Sequence, residues 1–423
     1  MLVASIDIQG GEVVQLIGGK EKALSAGTPA EMGQQLGPLG SMAVIDLDAA
    51  MGTGSNRDDI ADLCKKYRCR VGGGIRHVDT ARWWLDAGAE SIIIGTAAQP
   101  EFLKQLPRER VIVALDAVND EVVVEGWKTK TGKGIEEQMA LLRPYVGGFL
   151  VTFVENEGRL GGTRLDRVPA LVEAAGEARL TIAGGVTTEE EIRQLDALGV
   201  DAQVGMALYT GQLGLAEAFT APLRSDREDG LWPTVVVDAA DRALGLCYSS
   251  LESVRESLSS GRGTYWSRKR GLWKKGESSG ATQELLEISM DCDRDTLRFR
   301  VRQAGAGFCH LRTRSCWGDV KGLENLAEGL ENRKETAPEG SYTQRLFRDG
   351  DLLRSKLIEE ASELAEANTR EEVIWETADV LFFALTAMTA GNVRLEEVLH
   401  TLEMRSRKVS RRPGNAKTTG GES

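Results

Sequence analysis

Two stretches of the first half of this chain, about 110 residues apart, carry one pattern. Ile6-Asp7 is followed by Glu12-Val13-Val14, and Leu115-Asp116 by Glu121-Val122-Val123 at the same spacing. Gly73-Gly74 recur as Gly184-Gly185, and Gly95 recurs as Gly205. Self-similarity at a fixed period restricts a chain to architectures assembled from like units. Around these marks, short apolar runs (VASID, MAVIDL, CRVGGG, SIIIG, VIVALD, GFLVTF, LTIAGG, AQVG) alternate with stretches of helical pattern. Eight strand–helix units in series predict a closed parallel (β/α)8 TIM barrel over residues 1–224, made of two similar halves.

Each half places an aspartate at the end of its first strand and glycine turns at the ends of its third and fourth. Catalytic groups in such barrels sit at the C-terminal ends of strands, where glycine turns expose backbone N–H groups to phosphate. Two halves therefore predict two phosphate clamps facing two carboxylates, and a substrate phosphorylated at both ends. One aspartate acts as general base and the other, kept protonated, as general acid, their pKa values separated by burial and mutual repulsion.

The motifs ASIDIQGGEVVQL, VIDLDAA, VGGGIR, IIGTA, VALDAVNDEVVVEGW and TIAGG, across residues 1 to about 215, resemble the isomerase that converts phosphoribosylformimino-aminoimidazole carboxamide ribotide to its ribulosyl form. The resemblance implies an Amadori rearrangement with Asp7 as general base and Asp116 as general acid. It implies that Trp127 stacks on the substrate imidazole, and that Gly74, Gly95, Thr96, Gly184, Gly185 and Gly205 bind the two phosphates. In the sixth unit that family has Thr-Asp-Ile and Asp-Gly-Thr, whereas this chain has Thr152-Phe153-Val154 and Glu157-Gly158-Arg159. Met206 also stands where an arginine is common.

A second constellation begins at Asp291-Cys292-Asp293-Arg294-Asp295 and continues to Cys309-His310 and Cys316. The surrounding EISMDCDRDTLRFRVRQ alternates as a strand does, which predicts Asp291, Asp293 and Asp295 on one face and Cys292 on the other. Carboxylate oxygens suit Mg²⁺, and three thiolates suit Zn²⁺ with a fourth position left for water. Upstream, Gly261 to Gly280 is rich in glycine, cations and aromatics, a composition for holding a phosphate and stacking a purine. Together these motifs, over roughly residues 229 to 318, resemble phosphoribosyl-AMP cyclohydrolase of histidine biosynthesis. The resemblance implies that zinc-bound hydroxide attacks C6 of the adenine ring and opens the N1–C6 bond. Cys292, Cys309 and Cys316 would be the zinc ligands, Asp291, Asp293 and Asp295 the Mg²⁺ ligands, and His310 a proton carrier. It also implies a homodimer with metal sites at the subunit interface.

SDREDGLWP ends the barrel, and ENRKETAPEGSY, with Pro338 and Gly340, opens a helical end. LLRSKLIEEASELAEA carries Glu359, Glu360 and Glu363, and EEVIWETADVLFFALTAM carries Glu376 and Asp379. An i, i+3 spacing puts paired carboxylates on one helix face, and like charges beside an apolar core call for cations. Glu360-x-x-Glu363 with Glu376-x-x-Asp379, after SYTQRLF, resembles phosphoribosyl-ATP pyrophosphatase of the all-α nucleotide pyrophosphohydrolases. By that resemblance these four residues bind Mg²⁺, with Lys356, Lys408, Arg411 and Arg412 as further phosphate contacts.

The expected molecule is thus multidomain: the barrel (1–224), a central β-rich α+β cyclohydrolase domain (229–325) and an all-α pyrophosphatase domain (339–415), acting on phosphoribosyl nucleotides. A net charge of −12 argues against nucleic acid as a general partner. The chain has neither a run of eighteen apolar residues nor a signal peptide, so a cytoplasmic enzyme with no membrane partner is expected. Six cysteines in 423 residues do not make a disulfide framework, and Cys64, Cys69 and Cys247 are assigned to packing. Two other readings stay open: a non-catalytic barrel on a bifunctional enzyme, and a barrel that also isomerises phosphoribosylanthranilate.

Overall fold

The eight apolar runs of the first half become β1 (Leu2–Gln9), β2 (Met42–Asp46), β3 (Cys69–Gly72), β4 (Ser91–Ile94), β5 (Val111–Val118), β6 (Gly148–Phe153), β7 (Arg179–Ala183) and β8 (Asp201–Val204). Each pairs in parallel with the next, and β8 pairs with β1, so the sheet closes into a barrel and leaves no parallel edge. This computed structural model describes residues 1–18, 21–124, 126–318 and 321–410. Inside the barrel, Val3, Ala43, Ile93, Leu150 and Ala183 form one layer of large and small side chains. Burying each large one contributes about 1.5–3 kcal/mol. Below that layer the buried Arg70 donates to Asp201 at 2.9 Å, Thr181 at 3.1 Å and Ser41 at 3.1 Å. A buried charge with its donors filled in this way is tolerated rather than disruptive.

The repeat is visible in strand register. Asp7 lies opposite Val14 in one antiparallel return, and Asp116 lies opposite Val123 in the other. The glycine turns repeat too: a Cβ on Gly73 would meet the Asp46 carbonyl oxygen at 2.2 Å, and one on Gly184 the Phe153 carbonyl oxygen at 2.6 Å. In both halves the turn after the third strand presses on the end of the second, and only glycine leaves room.

The barrel shares a compact unit, Met1–Gly305 joined by the stretch from Arg407, with a six-stranded sheet. Its strands run in the order Gly271–Lys274, Thr264–Ser267, Ala243–Ser249, Trp232–Val237, Leu297–Gln303, Gln283–Met290. Tyr265 is fully buried in it and donates to Gln283 at 2.7 Å, which donates to Gln303 at 2.8 Å, so the buried polar groups are satisfied.

One expectation is corrected here. Asp291 to Asp295 is not strand but the loop joining two antiparallel strands, with Met290 opposite Leu297. The Asp291 side chain accepts from the N–H of Asp295 at 3.1 Å and of Thr296 at 3.2 Å, and Arg294 turns left-handed at φ 65°. Local capture of the backbone by an aspartate competes with ladder pairing, and here it prevails. The division of carboxylates and Cys292 onto opposite faces of one strand therefore falls.

The second compact unit, Ala306–Ser406, begins with the Cys309 and Cys316 loop and continues as α1 (Leu323–Thr336), α2 (Tyr342–Arg348), α3 (Gly350–Glu366), α4 (Arg370–Ala390) and α5 (Leu395–Ser406). Thr369 opens α4 with a reciprocal capping box to Glu372, and Asp349 caps α3. Ala327 and Leu330 of α1 pack on Leu385 of α4, while Leu346, Leu353 and Phe383 join α2, α3 and α4. By length and mean hydropathy α4 is apolar enough to cross a membrane, but it carries Glu376 toward Glu360 and Glu363 of α3.

Candidate active sites

At the C-terminal mouth of the barrel, Asp7 lies on β1 one residue before its last parallel pair, Ile8 with Asp46, and is half-buried. Burial pushes its carboxyl up to about 6, against the Ser5 hydroxyl, which donates to it at 3.2 Å. Asp116, at the matching place on β5, is also raised by burial, while the side chains of Trp127 and Thr152 donate to it and pull the other way. Trp127 holds φ 68°, a backbone conformation rare for so bulky a residue. It therefore stands against the Asp116 carboxyl.

A third carboxylate joins them, one that the sequence marks only as a departure from the isomerase pattern. Glu157, half-buried in the loop after β6, is raised to about 8 by burial and then by the charges of Asp7 and Asp116. It lines one cavity with Asp7, Gly184, Gly185, Gly205 and Met206. The available signal was its place just beyond the sixth strand, at the face where barrel chemistry sits. Gly74, Gly95 and Thr96 follow β3 and β4, in the first half of the mouth. Burial thus raises both carboxyls in this cavity, and Glu157 further than Asp7 because it also meets the charges of Asp7 and Asp116.

The raised Glu157 has a consequence for stability. The folded chain keeps this proton up to about pH 8, whereas the unfolded chain releases it near 4.5, so the folded state holds the extra proton between them. Its contribution is complete below the unfolded value and is lost as pH rises through the folded one, by at most about 1.4 kcal/mol per pH unit. Glu157→Gln should therefore stabilise the barrel increasingly as pH rises from about 5 to about 8. Urea midpoints of both proteins across that range check it; a difference that stays constant would mean that Glu157 does not titrate there.

In the central loop, one carboxylate oxygen each from Asp291, Asp293 and Asp295 lies within 4.8 Å of the others. Burial alone would raise Asp291, but the N–H groups of Thr296 and Asp295 outweigh it and hold the carboxyl below its usual range. Cys292 is exposed, with Sγ 3.9 Å from Asp293. In the second unit, the Leu311 backbone N–H holds the Cys309 thiol below its ordinary range, with Thr313 and Cys316 side chains adding to it. His310 is exposed, its Nδ1 3.9 Å from Cys309 Sγ. In the Gly261–Gly280 run, Arg268 lies 5.6 Å over Tyr248 and Lys275 5.6 Å over Trp273. Cys64, Cys69 and Cys247 are buried.

In the helical unit, Glu360, Glu363 and Glu376 bring carboxylate oxygens within 4.8 Å of one another. Glu376 is raised by burial, then by Glu363, Glu360 and Asp379, and among the described residues its Oε2 has no hydrogen-bond partner. Lys356 pairs with Glu359 at 2.8 Å and Glu360 at 2.9 Å, and so offsets part of the repulsion. Lys408 lies by the barrel, where the N–H groups of Val409 and Ser410 donate to Asp86 at 2.7 and 3.0 Å. Arg411 and Arg412 lie outside the described residues.

Comparison with known proteins follows the same three-part division. The profile described as histidine biosynthesis protein matches residues 1–214, phosphoribosyl-AMP cyclohydrolase matches 245–318, and phosphoribosyl-ATP pyrophosphohydrolase matches 323–406. The histidine biosynthesis bifunctional protein of Schizosaccharomyces pombe is 54% identical over 206 residues, 49% of this chain and 49% of its own length. The histidine biosynthesis trifunctional protein of Neurospora crassa is 53% identical over 207 residues, 49% of this chain and 24% of its own. The 1-(5-phosphoribosyl)-5-((5-phosphoribosylamino)methylideneamino) imidazole-4-carboxamide isomerase of Methanocaldococcus jannaschii is 33% identical over 231 residues, 52% of this chain and 97% of its own. The chain spans about half or less of the length of the two fungal proteins.

Proposed function

The chain belongs to the histidine biosynthesis protein family, and from that membership we propose that it catalyses three consecutive steps. Phosphoribosyl-ATP loses pyrophosphate, the adenine ring of phosphoribosyl-AMP is opened by water, and the resulting aminal is isomerised to the ribulosyl ketose. The observation that carries this reading is the series of three family matches along one chain, each spanning its own cluster of carboxylates or thiols. The modules are residues 1–224, 229–325 and 339–415, and the enzyme works in the cytoplasm on phosphoribosyl nucleotides, with neither nucleic acid nor membrane as partner.

The donor sets fit the implied metals. Three carboxylate oxygens within 4.8 Å suit a hard cation in the central loop, and so does the helical cluster with its unpartnered Glu376 oxygen. Thiols drawn toward ionisation by backbone and side-chain donors, as at Cys309, suit a softer one. Bound Zn²⁺ supplies Lewis acidity that ionises water near neutral pH, and bound Mg²⁺ supplies positive charge for phosphate oxygens. Cys292, Cys309 and Cys316 would hold the zinc; Asp291, Asp293 and Asp295, and Glu360, Glu363, Glu376 and Asp379, would hold magnesium. His310 carries protons to and from the opening ring.

In the barrel, the ribose ring oxygen takes a proton from Asp116 as the C1–O bond breaks, and the C1–N bond becomes an iminium. Asp7 removes the C2 proton, and the enolamine that results tautomerises to the ketose. Trp127 stacks on the imidazole, and the glycine turns bind one phosphate in each half. Incubating the protein with phosphoribosyl-ATP, Mg²⁺ and Zn²⁺ and following products in order tests the whole reading. Failure to form the ketose from supplied aminal would leave a bifunctional enzyme on an inert barrel.

The cyclohydrolase module also makes the homodimer, with zinc bound by the assembled state and so linked to its stability. Zinc chelation and Cys309→Ser are each expected to remove ring opening and weaken the dimer, while isomerisation in the same sample survives. Sedimentation at low concentration checks this; a monomer with one tightly bound zinc per chain and full ring-opening activity would refute the shared site.

A further inference from the structure

Arg294 stands inside the acidic loop, between Asp293 and Asp295, yet its side chain leaves that loop for the barrel. Its guanidinium meets Asp196 at two points, Nε to Oδ2 at 3.0 Å and Nη2 to Oδ1 at 3.0 Å. Nη1 turns back and donates to the Asp291 carbonyl at 2.8 Å. The Arg294 carbonyl accepts from the N–H of Arg224, just past the last barrel helix, at 2.7 Å. Asp196 belongs to the last turn of the helix Glu189–Ala197 that leads into β8. Helices of such a barrel run antiparallel to its strands, so Asp196 lies at the end opposite the Asp7 mouth.

Two features separate this pair from an ordinary surface contact. The side chains are only 22% and 12% exposed, so water and salt screen the charges weakly. And Arg294 holds a left-handed backbone, φ 65°, that an arginine adopts only when its surroundings over-determine it. A planar guanidinium bonded to one carboxylate at two points and to a carbonyl at a third supplies that constraint. The turn it shapes is the one in which the Asp291 carboxylate accepts from Asp295 and Thr296. The turn that carries Asp291, Asp293 and Asp295 is thus tied to the barrel through Arg294 and Asp196.

We propose that Asp196 is a positioning residue for the cation site of the Asp291–Asp295 loop, acting through Arg294, so that the barrel serves ring opening at one end and isomerisation at the other. The inference rests on the cyclohydrolase reading of that loop. It makes the barrel a structural part of the second active site, whatever chemistry its own mouth performs.

The test uses the full chain and Mn²⁺, with free Mn²⁺ followed by electron paramagnetic resonance. The Mn²⁺ bound by the wild type and lost in Asp291→Asn reports the loop, separately from the helical cluster. Asp196→Asn is expected to weaken that binding about tenfold or more, as loss of an outer-shell partner does. Asp196→Glu should recover part of it, and Arg294→Gly should match Asp196→Asn although glycine accepts the left-handed turn freely. Isomerisation should keep its wild-type rate in Asp196→Asn, which reports an intact barrel. Wild-type Mn²⁺ affinity in both Asp196→Asn and Arg294→Gly would overturn the proposal, and so would loss of isomerisation in Asp196→Asn, since the role would then be general stability. If Asp291→Asn itself binds Mn²⁺ as the wild type does, the cation reading of the loop fails first and the positioning role with it.

Discussion

Asp7→Asn and Asp116→Asn are each expected to slow isomerisation by about 10²- to 10⁴-fold, the range that a positioned acid or base contributes. The aminal should accumulate, because pyrophosphate release and ring opening draw on other residues. The two variants should differ in their pH response. Asp7 in the wild type must lose a proton near pH 6 to act as a base, so the rate rises through that value, and Asp7→Asn removes the acid limb from whatever activity survives. Asp116 is raised by burial, and its proton is the one that reaches the ring oxygen, so Asp116→Asn leaves the acid limb in place. Single-turnover measurements with purified aminal check both; ketose formation at the wild-type rate in either variant would end the assignment of base and acid.

Glu376→Gln should stop pyrophosphate release and leave ring opening of supplied phosphoribosyl-AMP at its wild-type rate. Glu376 sits among Glu360, Glu363 and Asp379 with one oxygen unpartnered, so its charge is disfavoured until a cation arrives. Removing that charge has opposite effects on the two states. Without divalent metal, Glu376→Gln should unfold at a higher temperature than the wild type, because like-charge repulsion is relieved. With Mg²⁺, the wild type should gain stability and the variant little, because binding to the folded state alone stabilises it. Thermal scans with and without Mg²⁺ distinguish this from simple damage: a variant less stable than the wild type in both conditions would argue for a structural role, and retained pyrophosphate release would remove the metal cluster from the mechanism.

The barrel was legible because its information is periodic and local. Two copies of one pattern put Asp7 and Asp116 at equivalent places, and the registers Asp7 to Val14 and Asp116 to Val123 repeat that equivalence in space. The helical carboxylates were legible for the same reason: an i, i+3 spacing defines a face, and α3 and α4 then need only pack. The apolar alternation on either side of Asp291 was a true strand signal, but it ran through the acidic loop without marking a break. Side-chain capture of the backbone by Asp291 depends on a turn forming, and composition does not distinguish a polar strand face from a polar loop.

Residue type and spacing by themselves determined the barrel, its two aspartates and the grouping of carboxylates, since periodicity and ligand chemistry are properties of the chain. Only the tertiary structure decided that Glu157 faces Asp7 and Asp116, and that Arg294 reaches back to Asp196. Both depend on distance across the fold rather than along the chain: burial and neighbouring charge raise Glu157, and a guanidinium finds its carboxylate 98 residues upstream only once the sheet has docked on the barrel.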